Sequence, residues 1–133
     1  MIIESQRVTV DAYPEKVFAF LSNAKNIEEL LPHDNISDFQ GEDKKCSFKV
    51  QGGITITLEH DQLVPFERIE MKSGEKSPFP FTLTIFLEEM NDKTAGYIKF
   101  DGEVNAFLKM MVQKPLTNLF NYMSQKMKEK YEE

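Results

Sequence analysis

The stretch "YIKFDGEVNAFLKMMVQKPLTNLFNYMSQKMKEKY", Tyr97 to Tyr131, changes its period partway along, and that change decides the fold. Its first residues alternate, with Ile98, Phe100 and Val104 on one side and Lys99, Asp101 and Glu103 on the other, as in a strand with one buried face. After Phe107 the apolar spacing becomes helical. At ~100° per residue, Leu116, Leu119, Phe120, Met123 and Met127 form one stripe. Continued backwards, the wheel misses: Phe107, Leu108, Met111 and Val112 centre roughly 100° away, and Lys109 would land on the stripe. Proline removes a backbone donor and kinks helices, so Pro115 predicts a short first segment, Phe107 to about Gln113, set at an angle to the main helix.

Upstream of this junction the period stays at two for most of the chain. "CSFKV" places Cys46, Phe48 and Val50 on one face, and "ITITLE" places Ile54, Ile56 and Leu58 against Thr55, Thr57 and Glu59. "RIEMKS" adds Ile69 and Met71, and "TLTIFLE" adds Leu83, Ile85 and Leu87. These are half-buried antiparallel strands joined by short turns such as Gly52-Gly53. Before them, "IIESQRVTV" reads as a strand. "PEKVFAFLSN" reads as a helix, with Pro14 in its first turn and Val17, Phe18 and Leu21 at helical spacing. "NIEELLP" adds a second short helix that stops before Pro32. Each strand has one apolar face, so the sheet needs one cover, and only the terminal helix is long enough to supply it. The expected class is therefore α+β: a curved antiparallel sheet of about seven strands wrapped around a long C-terminal helix, with two short helices after the first strand. No repeat or linker interrupts the chain, so residues 1–133 are expected to form one domain.

The segment "VDAYPEKVFAFLSNAKNIEELLP", Val10 to Pro32, resembles the amino-terminal signature of the START and birch-pollen-allergen superfamily, also called polyketide cyclase-like or SRPBCC. The resemblance lies in a strand-ending Val10, a helix-starting Pro14 and the pair Val17-Phe18, and the order of elements is similar along the whole chain. It implies a small bacterial-type member with a helix-grip fold, in which a cavity between sheet and helix usually takes an apolar ligand. Some relatives are described as cyclases or aromatases, and others assist chaperones or ribosomes.

Strand counting then places the loop "GEKSPFPF", in which Phe79 stands between Pro78 and Pro80. In a meander, alternate turns share an end. Gly52-Gly53, the Gly74–Pro80 loop and the junction at Asn105 share one end, where the two short helices are also expected to start. The turns near Gly41–Lys45, Asp61–Pro65 and Asn91–Ala95 share the other. Phe79 is thus expected beside Phe107 and Leu108, at the mouth of the groove between sheet and helix, as a plug or as a lip that touches ligand. The lining or mouth of the cavity is read as Phe48, Ile56, Met71, Phe79, Leu83, Ile85, Phe100, Phe107, Leu108, Met111, Leu119, Phe120 and Met123. The methionines make that lining deformable.

The inward strand positions are almost all apolar, with Cys46 and Ser73 the polar exceptions and no base in view beside either. His33-Asp34 and His60-Asp61 tempt a metal or acid–base reading, but strand parity puts them a strand length apart. Glu59, Asp101 and Glu103 fall on the outward face. No phosphate cradle, nucleophile elbow or cysteine-pair motif appears, so neither catalytic residues, nor a metal, nor a cofactor are assigned. The chain carries 22 carboxylates against 16 Lys and Arg, net −6, which argues against nucleic-acid binding. A lone cysteine and the absence of a leader-like or membrane-spanning run predict a cytoplasmic protein. The expected partners are a small apolar molecule and, at most, a second copy in a weak homodimer. Phe86 and Tyr97, outward on neighbouring strands, are the alternative contact patch for a protein that binds no ligand.

Overall fold

A computed structural model describes residues 1–50 and 53–132; Gly52, half of the expected Gly52-Gly53 turn, lies outside the described residues. The chain runs β1 (Ile2–Glu4), β2 (Val8–Val10), α1 (Pro14–Leu21), a 3-10 helix (Ala24–Leu30), β3 (Ile36–Gly41), β4 (Lys45–Val50), β5 (Ile54–Val64), β6 (Arg68–Ser73), β7 (Phe81–Met90), β8 (Lys93–Gly102) and α2 (Ala106–Lys130). One antiparallel sheet has the order β1-β8-β7-β6-β5-β4-β3, with β2 also on β8, so β1 and β2 are two parts of one edge strand. The expected sheet of about seven strands with a long C-terminal helix is what forms.

Alternation is the reason. In β7 the buried positions are Phe81, Leu83, Ile85 and Leu87, and in β8 they include Ile98 and Phe100. Cross-strand register aligns them, Leu83 opposite Phe100 and Ile85 opposite Ile98, so one face of the sheet becomes continuous apolar surface. Helix α2 lays Val112, Leu116, Leu119, Phe120, Met123 and Met127 on that surface. All five residues of the sequence-derived stripe are buried, as is Cys46.

Three expectations fail, each for a physical reason. The terminal helix is not two segments; α2 is continuous through Pro115. Pro115 lies on the exposed flank, where the Met111 carbonyl that loses its N–H partner can bond water instead. The wheel mismatch is resolved differently: Val112 and Leu108 meet the core while Phe107, Met110 and Met111 stay in solvent on the outward face.

Second, the short helices do not start at the end shared by Asn105 and the Gly74–Pro80 loop. Val10 pairs with Thr94, and the Thr94 hydroxyl donates to the Ala12 carbonyl at 2.8 Å, so α1 begins at the Asn91–Ala95 end. Strand β3 begins opposite Val50, at the far end. The crossover therefore travels the length of the concave face, and its second helix is a 3-10 helix. Third, the cover is shared. Helix α1 packs on β6, β7 and β8, the 3-10 helix on β3, β4 and β5, and α2 on β1, β2 and β8.

A polar clip, absent from the sequence reading, fixes α2 to the edge strand. Between β1 and β2 the register slips by one residue against β8. At the slip Ser5 exchanges two bonds with Ile98, its N–H donating to the Ile98 carbonyl and its hydroxyl accepting the Ile98 N–H, both at 2.8 Å. The Ser5 and Ser124 hydroxyls lie 2.7 Å apart, both buried, and the Gln6 N–H donates to Asn121 Oδ1 at 2.7 Å. Interrupting the strand costs ladder bonds; the Ser5 hydroxyl takes the Ile98 N–H and Asn121 of α2 takes the Gln6 N–H.

Candidate functional site

The expected cavity lining separates into two groups. Phe48, Ile56, Met71, Phe79, Leu83, Ile85, Phe100, Leu119, Phe120 and Met123 all lie in one buried cluster. Phe107 and Met111 do not reach it: they are 70% and 56% exposed, and Leu108 is half-buried at the cluster's edge.

The mouth expected at Phe79 is correspondingly absent. Phe79 is 6% exposed, and its ring contacts are Phe81 at 6.0 Å and Phe100 at 6.2 Å, both edge-on. Phe100 in turn stacks on Phe120 of α2 at 5.4 Å. Phe79 is thus the outer member of a four-ring cluster that closes this end of the core, with the plug geometry rather than the lip. The loop that carries it is anchored from behind. The Thr57 N–H donates to Ser77 Oγ at 3.0 Å, and the Phe81 N–H donates to Ser73 Oγ at 3.1 Å. Ser73, one of the two inward polar exceptions, is therefore a loop clamp.

Cys46, the other exception, is 3% exposed. Burial pushes its thiol up to about 12, which keeps it protonated and unreactive at neutral pH. His60 Nε2 is buried without a hydrogen-bond partner, and burial holds its pKa below the ordinary histidine range. His33 lies in the stretch before β3. Among the described residues no three His, Cys, Asp or Glu side chains come together to hold a metal.

An apolar-floored opening lies elsewhere, on the flank of α2 at Pro115. A groove of about 500 Å³ runs between α2 and the start of β3 with the end of β4. Its floor is Ile36, Val50 and Leu119; its rim is Pro32, Asn35, Lys114, Pro115, Asn118 and Tyr122. Val50 and Leu119 are 5% and 4% exposed, so the floor is the surface of the core itself. On the helical wheel Phe107 and Met111 share the flank of Lys114, Asn118 and Tyr122, outside the groove lining itself. Of the thirteen residues expected to contact ligand, Leu119 alone lines this groove. The signal available in sequence is Pro115, which in the structure is a wall of the groove and not a kink.

Two other depressions face outward. One, about 340 Å³, lies over Phe86 and Tyr97, whose rings stack at 5.0 Å with the Arg7 guanidinium 3.9 Å from the Tyr97 centroid. The other, about 790 Å³, is lined mainly by polar and charged groups, among them Glu42, Lys45, Glu59, Glu75 and Lys76. Among the described residues no helix is long and apolar enough to cross a membrane.

No protein-family model matches the chain, and no curated protein matches it. Solved structures do. A START superfamily protein from Mycobacterium smegmatis superposes with a TM-score of 0.75 at 12% identity, over 98% of this chain and 96% of that one. A protein from Thermus thermophilus gives 0.70 at 15% identity, over 98% and 97%. The Aha1 dimer from Colwellia psychrerythraea gives 0.67 at 16%, over 99% and 96%. The fold is thus the helix-grip fold of the START superfamily protein, and at these identities the likeness carries the fold alone.

Proposed function

We propose that the protein binds a small hydrophobic molecule, lipid-like, isoprenoid or aromatic, in the groove on the Pro115 flank of α2. The observation that carries this is the groove floor: Val50 and Leu119 belong to the core yet line an open depression of about 500 Å³. That volume is in the range of roughly 300–1,000 Å³ usual for small-molecule sites, and an apolar floor with a few polar rim groups is their usual composition. The START superfamily relationship in fold agrees with such a role. A cyclase-type enzyme would need a polar cluster facing its substrate inside the grip. The buried Ser5 and Ser124 hydroxyls are paired with each other, and the Thr94 hydroxyl bonds the Ala12 carbonyl. The stacked Phe86–Tyr97 pair with Arg7 supports a second reading, a protein contact on the outer face of the sheet.

The chain has no tryptophan, so Tyr122→Trp places a single reporter on the groove rim. Titration with neutral apolar probes, a Nile red series and medium-chain alcohols, should shift its emission to the blue with saturation. If no probe moves the emission while native mass spectrometry also finds no adduct, the binding reading is wrong.

A further inference from the structure

We infer that the ligand of this groove carries an anionic head, a carboxylate or phosphate on an apolar body, and that Lys114 receives it; this rests on the binding reading above. The inference starts from a local reversal of charge. The whole chain is net −6, yet the groove is lined by one lysine and no carboxylate. The sequence extends the reversal along the helix. Between Glu103 and Glu129 there is no Asp or Glu, while Lys109, Lys114, Lys126 and Lys128 all fall in that span.

Lys114 is also uncommitted. Lys45, Arg68, Lys128 and Lys130 each have a carboxylate within 4.0 Å, and among the described residues Lys114 has none. Around it the Asn35 and Asn118 amides and the Tyr122 hydroxyl make no side-chain hydrogen bond to the described residues, so the rim offers N–H and O–H donors from both walls. An ammonium beside several open donors, above an apolar floor formed by Ile36, Val50 and Leu119, matches a single-chain amphiphile lying head outward. The exposed Lys114 contributes through a screened charge interaction, so the preference is expected to be modest and to depend on salt.

The experiment is displacement of neutral Nile red from the unmodified protein by decanoate, decyl phosphate and decanol, each below its micelle concentration, at low and high salt. The two anions should compete roughly three- to fivefold better than decanol at low salt, and the advantage should shrink at high salt. Lys114→Gln should bring the anions to within about twofold of decanol, with decanol measured on the same variant as the reference. Either anion outranking the other identifies the head group and upholds the inference. Equal competition by decanol, or a preference that survives Lys114→Gln, overturns the inference and leaves the binding reading standing. Failure of all three to displace dye that does bind, or no dye binding at all, overturns the binding reading and this inference with it.

Discussion

The two halves of α2 are built from similar residues and are used in opposite ways. From Leu116 to Met127 the helix turns Leu116, Leu119, Phe120, Met123 and Met127 onto the sheet, and Ser124 and Asn121 clip it to the edge strand. From Phe107 to Pro115 it presents equally large side chains, and Phe107, Met110 and Met111 stay in solvent while Leu108 and Val112 turn inward. Hydrophobicity does not separate the halves. What separates them is which face of the helix carries the bulk: on the wheel Phe107, Met110 and Met111 lie roughly 120° or more from the centre of the gripped stripe, while Val112 lies beside it. Phe107, Met110 and Met111 therefore face away from the core, and the groove opens on the flank beside Pro115.

Mutations can break this comparison. The largest effect is expected in the gripped half. Phe120→Ala removes a ring that is 3% exposed and stacked on Phe100, so stability should fall by about 3–5 kcal/mol in urea or guanidinium titrations. A loss below about 1 kcal/mol would show that the helix is held more loosely than its burial implies. The clip comes next. Ser5→Ala deprives the buried Ile98 N–H of its acceptor and Ser124 of its partner, which should cost about 1–3 kcal/mol by the same titration. Hydrogen exchange at Ile98 should rise with it. The smallest effect belongs to the exposed face of the first turns. Phe107→Ala should change the unfolding free energy by less than about 0.5 kcal/mol, as for a surface position. A loss comparable to that of Phe120→Ala would mean that this side chain is covered in solution, and the two halves would then be alike.

The four-ring cluster makes the same point at the level of one residue. Phe79 stands in a loop between two prolines, which looks like surface chemistry, and it is almost fully buried. Phe107 stands in a helix among methionines, which looks like core, and it is largely exposed. Local composition ranked them the wrong way round. Strand parity came closer for Phe79, because it placed the loop at the correct end of the sheet. It could not foresee that α1 starts at the opposite end, since the crossover between β2 and β3 carries no periodic signal about its direction.

Periodicity by itself determined the strands, their inward faces and the burial of Cys46 through the period of two, and the five-residue stripe of α2 through the helical period. Each of these follows from a side-chain period locked to the backbone, which a linear sequence records directly. The tertiary structure decided what has no period. It set which side of the first α2 turns meets the core, that Pro115 is tolerated on a solvated flank instead of breaking the helix, and that the Ser5–Ser124 pair spans elements 119 residues apart. It also moved the opening from Phe79 to the wall formed by Pro115, Asn118 and Tyr122. Grooves form where two elements diverge, and divergence depends on the lengths and directions of both, which neither segment encodes alone.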